Sequence, residues 1–301
     1  MRIVSLLPSA TEIVCALGSR GELVGRSAEC DYPAEVRELP VVMRPRTLDP
    51  ERPSAEIDAR VRRARSAGES LYALDVDLLR RLRPDVLLTQ DLCGVCSVTD
   101  DEARAACREA GVEPEVVSLT PRTLEEVWVS IDLVGRAIDR GDEAATLVAS
   151  LRRRAQSARA RATGTVAVVE WLDPPILAGL WTPSIVGAAG GTYVGPAPGE
   201  VGARTTWDAI TDLAPDRVVL SPCSFSVERS EFELRDSALR ARVARAAGAG
   251  EIWLADEAYF SRPGPRLAYG VELVRSVLDD EDGPFPIPAR RWGLALPTAA
   301  R

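Results

Sequence analysis

The segment Leu82-Arg83-Pro84-Asp85-Val86-Leu87-Leu88 returns as Leu213-Ala214-Pro215-Asp216-Arg217-Val218-Val219. Both read Leu-x-Pro-Asp followed by an apolar strand, and 216 minus 85 gives an offset of 131. Asp77 and Asp208, eight residues ahead of each Asp, keep the same offset. Each half also opens with a strand, a Pro-containing loop, a short helix and a terminal Gly. A Leu-x-Pro-Asp joint alone is a generic helix-to-strand connection. The repeated order of elements and the outer acid instead predict two copies of one α/β unit.

Alternation of apolar strands with helical periods predicts parallel sheets covered by helices. In the first half, strands are expected at 2–7, 22–25, 85–89 and 115–119, with helices over 9–18, 54–67, 75–83 and 99–111. Ser9-Ala10-Thr11-Glu12, Thr99 with Glu102, and Thr123-Leu124-Glu125-Glu126 read as capping boxes. The Pro-rich stretch 30–53 reads as an irregular connection. From Thr123 to about Arg161, apolar residues recur at Val127, Ile131, Val134, Ile138, Leu147 and Leu151. This predicts one long helix, or two collinear ones, about 50–60 Å long if fully helical. Such a strut would limit closure to small tilts. The second half is expected to carry strands at 165–170, 216–221 and 251–255, with helices over 183–189, 206–213, 228–247 and 264–278. The expected division is an N-terminal lobe 1–121, a linking helix 122–161, a C-terminal lobe 162–280 and a Pro-rich tail 281–301. The fold class is therefore α/β, two Rossmann-like lobes with parallel sheets joined by a single long helix.

Composition removes several chemistries. The 301 residues contain no His, and all 37 basic residues are Arg, with no Lys and no Asn. A Ser-His-Asp triad, a Cys-His pair and an imidazole metal ligand are excluded. So are a Schiff-base lysine and a P-loop lysine. The net charge of −8 argues against nucleic-acid binding. The opening apolar run is shorter than the roughly 7–15 residues of a signal-peptide core. No stretch approaches the roughly 20 apolar residues of a membrane span. These features lead to the expectation of a cytoplasmic chain without membrane insertion, or an extracytoplasmic one if the sequence is a trimmed form.

Two lobes leave a cleft, and in parallel sheets ligands sit outside the carboxyl ends of strands. The residues after the expected strands are Pro8-Ser9, Gln90-Asp91-Leu92-Cys93, Trp171-Leu172-Asp173, Pro222-Cys223-Ser224-Phe225 and 256–260. They are rich in rings and soft groups, which suits a large, flat, partly apolar ligand.

These segments resemble the cobalamin and iron-siderophore substrate-binding proteins, the type with two lobes joined by one helix. The likeness covers roughly residues 1–280. It rests on IVSLLPSATEIVCALG at 3–18, SAECDYP at 27–33, the paired Leu-x-Pro-Asp strands and SRPGPRL at 261–267. Within the family the chain looks most like the cobalamin-binding group, and QDLCGVC at 90–96 and EWLDP at 170–174 resemble a subgroup that often lacks export signals. The resemblance implies a non-catalytic, monomeric protein. It implies a corrinoid ligand in the inter-lobe cleft and no required cofactor. A ferric siderophore, haem or metal bound by the same fold is the alternative. On this basis Ser9, Tyr32, Arg44, Gln90, Asp91, Trp171, Trp181, Phe225, Tyr259 and Arg262 are expected to bind ligand. Trp128, Trp207 and Trp253 are expected in the core. Relatives commonly carry His where Leu180 stands; if that His ligates a metal or cobalt in them, this chain has lost the contact. In exported members one acid per lobe contacts arginines of an ABC permease. Those positions fall on Asp77 and Asp208, where the family usually has the longer Glu.

The cysteines leave a further alternative. Cys15 and Cys107 read as core. Cys30, Cys93, Cys96 and Cys223 fall in expected cleft loops and could form a soft cluster for cobalt or another metal, although a lone C-x-x-C supplies only two of zinc's four ligands. Alternatively, Cys93-x-x-Cys96 would make a thiol redox protein, with no imidazole base nearby.

Overall fold

The computed structural model describes residues 1–46, 49, 51–92, 98–248 and 250–293. They form two compact units. The first comprises 1–52, 56–153 and 262–265, and the second 53–55, 154–261 and 266–301.

In the first unit the order is β1 (Ile3–Ser5), α1 (Pro8–Ala16), β2 (Leu23–Ser27), β3 (Val41–Pro45), α2 (Ser54–Ser66), β4 (Tyr72–Leu74), α3 (Val76–Leu82), β5 (Val86–Gln90), α4 (Asp100–Ala110), β6 (Glu115–Leu119) and α5 (Leu124–Ala137). The six strands run β4-β3-β2-β1-β5-β6. All neighbours are parallel except β3 and β4. The stretch 30–53, expected to be irregular, supplies β3. Its Val42 and Met43 are buried in the apolar core with Val4, Leu6, Leu79 and Leu87.

The second unit follows α6 (Gly141–Ser157) with β7 (Thr165–Leu172), β8 (Pro175–Leu177), α7 (Thr182–Ala188), β9 (Thr192–Tyr193), β10 (Ala203–Arg204), α8 (Trp207–Asp212), β11 (Arg217–Leu220), α9 (Val227–Glu233), α10 (Ser237–Ala247), β12 (Glu251–Ala255), α11 (Leu267–Asp279) and β13 (Ala289–Arg291). Its sheet runs β10-β8-β7-β11-β12-β13, with β9 beside β7. The centre β7-β11-β12 is parallel and the flanking pairs β7-β8, β8-β10 and β12-β13 are antiparallel. The Pro-rich tail thus adds an edge strand, where missing N–H groups are tolerated. The helix expected over 228–247 is two helices, because Asp236 starts a new one by accepting from the Leu239 N–H at 2.7 Å.

The sequence repeat has one physical meaning in both units. The residue before the proline is left-handed, with Arg83 at φ 43° and Ala214 at φ 46°. The Asp carboxylate then accepts the first amide of the adjacent central strand: Arg2 N–H to Asp85 and Thr165 N–H to Asp216, both at 2.7 Å. The same two Asp carbonyls accept from Glu115 and Glu251, which open the strands on the other side. Thr165 donates to Asp216 from both its amide and its hydroxyl, and these bonds hold the carboxyl below the usual carboxylate range.

The linking segment is neither the one long helix nor the two collinear helices expected. α5 ends at Ala137, Asp139 is left-handed at φ 56°, and α6 starts at Gly141. Arg152 on α6 donates to Glu125 on α5, with Nε at 3.3 Å. Along one helix, 27 residues would separate them by about 40 Å. The chain therefore doubles back, and it passes from the first unit into the second within α6, between Arg153 and Arg154. Gly135 permits the turn, since a Cβ there would stand 2.4 Å from the Ala144 Cβ and 2.9 Å from the Arg140 carbonyl oxygen.

Gly135→Ala is expected to lower stability by about 1–3 kcal/mol through overpacking, read by urea denaturation. Asp216→Ala and Asp85→Ala should each cost about 0.5–1.5 kcal/mol. The lowered Asp216 pKa makes its contribution present above about pH 4 and lost as pH falls through the folded value. The wild-type minus Asp216→Ala difference should therefore shrink in acid.

Candidate functional site

Parallel pairing delivers β1, β2 and β5 to one edge of the first unit and β7, β11 and β12 to one edge of the second. The segments leaving these ends carry most of the residues singled out from sequence.

At the first edge, α1 begins directly after β1. Pro8 occupies its first turn and Leu7 is the cap, with no side-chain capping bond. The expected Ser9–Glu12 capping box is not formed, because Pro8 starts the helix one residue earlier and places both side chains within it. Ser9 and Glu12 are buried. Thr11 places its hydroxyl 2.9 Å from the Ser5 hydroxyl and 3.0 Å from Cys30 Sγ. After β2, the Ser27–Tyr32 loop carries Cys30, which is buried, and Tyr32, which is 50% exposed. Gln90 ends β5 and is buried, while Asp91 and Arg44 are exposed. Arg262 belongs to this unit. Its Nη1 lies 3.4 Å from a Glu12 carboxylate oxygen and also pairs with Asp31.

At the second edge, Trp171 packs on Phe225 with ring centroids 5.4 Å apart. Trp171 is partly exposed, and its Nε1–H has no hydrogen-bond partner among the described residues. Phe225 is buried, and the Arg229 guanidinium lies 4.5 Å from its ring centre. Arg229 is in turn held by Glu233 at 2.7 Å. The Cys223 amide donates to the Glu170 carbonyl at 3.0 Å, which sets Cys223 beside the end of β7. Ser224, left-handed at φ 65°, donates its amide to Glu257 at 2.7 Å.

Two rings expected at this edge are sequestered. Trp181 is 7% exposed and donates Nε1–H to the Phe260 carbonyl at 2.5 Å. Tyr259 is fully buried and donates to the Ile287 carbonyl at 2.5 Å, and burial pushes its phenol up. Neither offers a ring face to a ligand in this conformation. Trp128, Trp207 and Trp253 lie in the core as expected. Leu180 is left-handed at φ 52°, and its backbone pairs both ways with the chain at 199–200. Gly179 beside it approaches that chain closely, so an added Cβ would lie 2.4 Å from the Gly202 nitrogen.

The thiol cluster proposed from sequence is not assembled by what is described. Cys93 and Cys96 lie outside the described residues, and with them the C-x-x-C alternative. Among the described residues no group of three or more Cys, Asp or Glu is arranged to hold a metal. Burial pushes the Cys30 thiol up to about 12 despite bonds from Thr11 and Ser27, so it is a neutral thiol near pH 7. Cys107 is buried, whereas Cys15, expected in the core, is only partly so.

Asp77 and Asp208 occupy the second position of α3 and α8, the helices that precede the repeated joint in each unit. Their side chains are 73% and 76% exposed. Each meets one arginine, Arg80 and Arg245 respectively. Residues the sequence reading did not single out for this edge are Glu12, Asp31 and Arg229, whereas Glu257 lies within the strand-end stretch 256–260 that it did. Their signal was present only as acids and arginines near the expected strand ends.

No family model matches the chain. An uncharacterized ABC transporter substrate-binding lipoprotein of Bacillus subtilis (strain 168), YvrC, is 25% identical over 291 residues, 93% of this chain and 80% of that protein. A periplasmic heme-binding protein from Pseudomonas aeruginosa matches in structure with a TM-score of 0.66 at 20% identity, over 97% of this chain and 95% of that one. The periplasmic vitamin B12-binding protein BtuF of Vibrio cholerae matches with a TM-score of 0.61 at 18% identity, over 93% and 96%. The chain thus has the two-lobed α/β fold of ABC-transporter substrate-binding proteins, as its sequence segments suggested. The expected cytoplasmic location does not hold against these comparisons, because the relative is a lipoprotein and both matched structures are periplasmic proteins. No helix among the described residues is long and apolar enough to cross a membrane.

Cys30 is expected to stay unlabelled by iodoacetamide at pH 8 in the folded protein and to react fully in urea. Peptide mapping by mass spectrometry reads the difference.

Proposed function

We propose that this chain is the solute-binding component of an ABC importer, non-catalytic, and that its ligand is a corrinoid. The observation that carries the ligand is the complete absence of His beside strand-end rings. Haem iron needs a protein side chain as axial ligand, most often imidazole. A cobalamin brings its own nitrogenous base to the cobalt and needs none. The exposed Tyr32 and the partly buried Trp171, backed by Phe225, supply ring surface for a flat macrocycle. Asp91 and Arg44 supply polar contacts suited to an amide-rimmed ligand.

Haem by the same fold is the second reading. It is favoured by Tyr32, since a tyrosine phenol also serves as a haem-iron ligand, and by the heme-binding neighbour. Asp77 and Asp208 are the proposed contacts for arginines of the permease. Their support is equal exposure at equivalent helix positions in the two units.

Cyanocobalamin or cobinamide should shift its visible bands on addition of the purified protein and give a calorimetric isotherm. Tyr32→Ala and Trp171→Ala should each weaken binding by roughly five- to tenfold, about 1 kcal/mol. A silent corrinoid titration with a hemin Soret shift that Tyr32→Phe abolishes would replace the corrinoid with haem.

A further inference from the structure

Arg262 was expected to meet the ligand, yet its guanidinium is committed elsewhere. The side chain is only 11% exposed and pairs with two carboxylates, those of Glu12 and Asp31. Glu12 is the inner partner, 3% exposed. Removing a cation from such a carboxylate leaves an uncompensated buried charge, so Glu12 fixes where Arg262 stands. Asp31 is the outer partner, 41% exposed, and directly precedes Tyr32.

A second arginine grips the same loop from its other end. Arg26 is 9% exposed and donates to the carbonyls of Ser27 at 2.9 Å, Ala28 at 3.2 Å and Arg37 at 2.7 Å. Arg37 in turn donates Nε–H to the Asp31 carbonyl at 3.2 Å. Between these grips the Cys30 amide closes on the Ser27 carbonyl at 3.1 Å, and Cys30 Sγ meets Thr11. The backbone from Ser27 to Asp31 is thus held by charge-assisted bonds, which are stronger than neutral ones. The ring that follows remains half exposed.

We propose that Arg262 is a positioning residue: anchored by Glu12, it holds Asp31 and thereby the loop that presents Tyr32, without touching the ligand. This rests on the reading of Tyr32 as a ligand-side ring. A loop ordered before the ligand arrives does not have to be ordered by binding, which is the gain of preorganisation.

Hydrogen exchange followed by mass spectrometry on the ligand-free full chain tests the brace, with Arg262→Ala, Arg262→Lys and Asp31→Asn beside wild type. Arg262→Ala and Asp31→Asn should speed exchange across 28–33 by about tenfold or more, with β5 and α4 unchanged. Arg262→Lys should fall between, because an ammonium lacks the guanidinium's fork. If Arg262→Ala does not fold, Arg262→Lys and Asp31→Asn carry the comparison. Unchanged exchange in 28–33, or a rise spread evenly through the unit, overturns the proposal.

The binding arm uses cyanocobalamin and hemin. For whichever binds, Arg262→Ala should weaken affinity by roughly tenfold in wild type and change it little in Tyr32→Ala, because both act through one ring. Fully additive effects would mean direct contact and overturn the positioning role. Failure of both probes to bind wild type removes the ligand reading, while the exchange result still decides whether Arg262 holds the loop.

Discussion

In each unit a carboxylate at the foot of one strand accepts the first backbone amide of the strand beside it. Asp85 does this for Arg2 and Asp216 for Thr165. Parallel strands have no hairpin turn to set their register, so a fixed bond at the starting end is what aligns them. One step further along, Ile3 pairs with Val86 and Val166 with Arg217. With the starts aligned, the ends emerge together, and the loops that leave them are gathered at one edge. The left-handed residue before the proline is the backbone cost of bringing the helix into this joint.

What the edge presents is decided by burial rather than by residue type. Trp181, Phe225 and Tyr259 are rings of the expected kind, and all three lie inside the second unit. Trp181 and Tyr259 also direct their polar atoms to backbone carbonyls, where an unpaired buried donor would be costly. Tyr32 and Trp171 retain exposed surface because the first follows a braced loop and the second ends a strand on a supporting ring. Arginine without any lysine or histidine makes bracing by charge the available device, and both Arg26 and Arg262 are used in this way.

Legibility in the sequence tracked how local the determining interaction was. The Thr99–Glu102 capping box formed as read, since both partners lie within one turn. The Ser9–Glu12 box did not, because Pro8 had already started the helix and Glu12 was drawn to a residue 250 positions away. The helical period over 123–161 was sound, but its interruption at Asp139 turned the chain back. Periodicity records a helix face and is silent about direction after a break. β3 and β13 lay in Pro-rich stretches and were missed, since pairing with a neighbouring strand, on both sides for β3 and at the sheet edge for β13, is a tertiary gain that a short segment does not advertise.

The sequence by itself determined two copies of an α/β unit with parallel strands at its centre, their joints and the edge at which the strand-end residues gather. It also determined, by lacking histidine, which chemistry that edge must do without. Those properties rest on periodicity, turn residues and composition, which act within a few residues of each other or need no geometry. The tertiary structure alone decided that Trp181 and Tyr259 are buried, that the helical segment doubles back, and that Arg262 meets Glu12 and Asp31. Each of these depends on side chains far apart in the chain competing for the same space or the same charge. No local pattern encodes the winner of that competition.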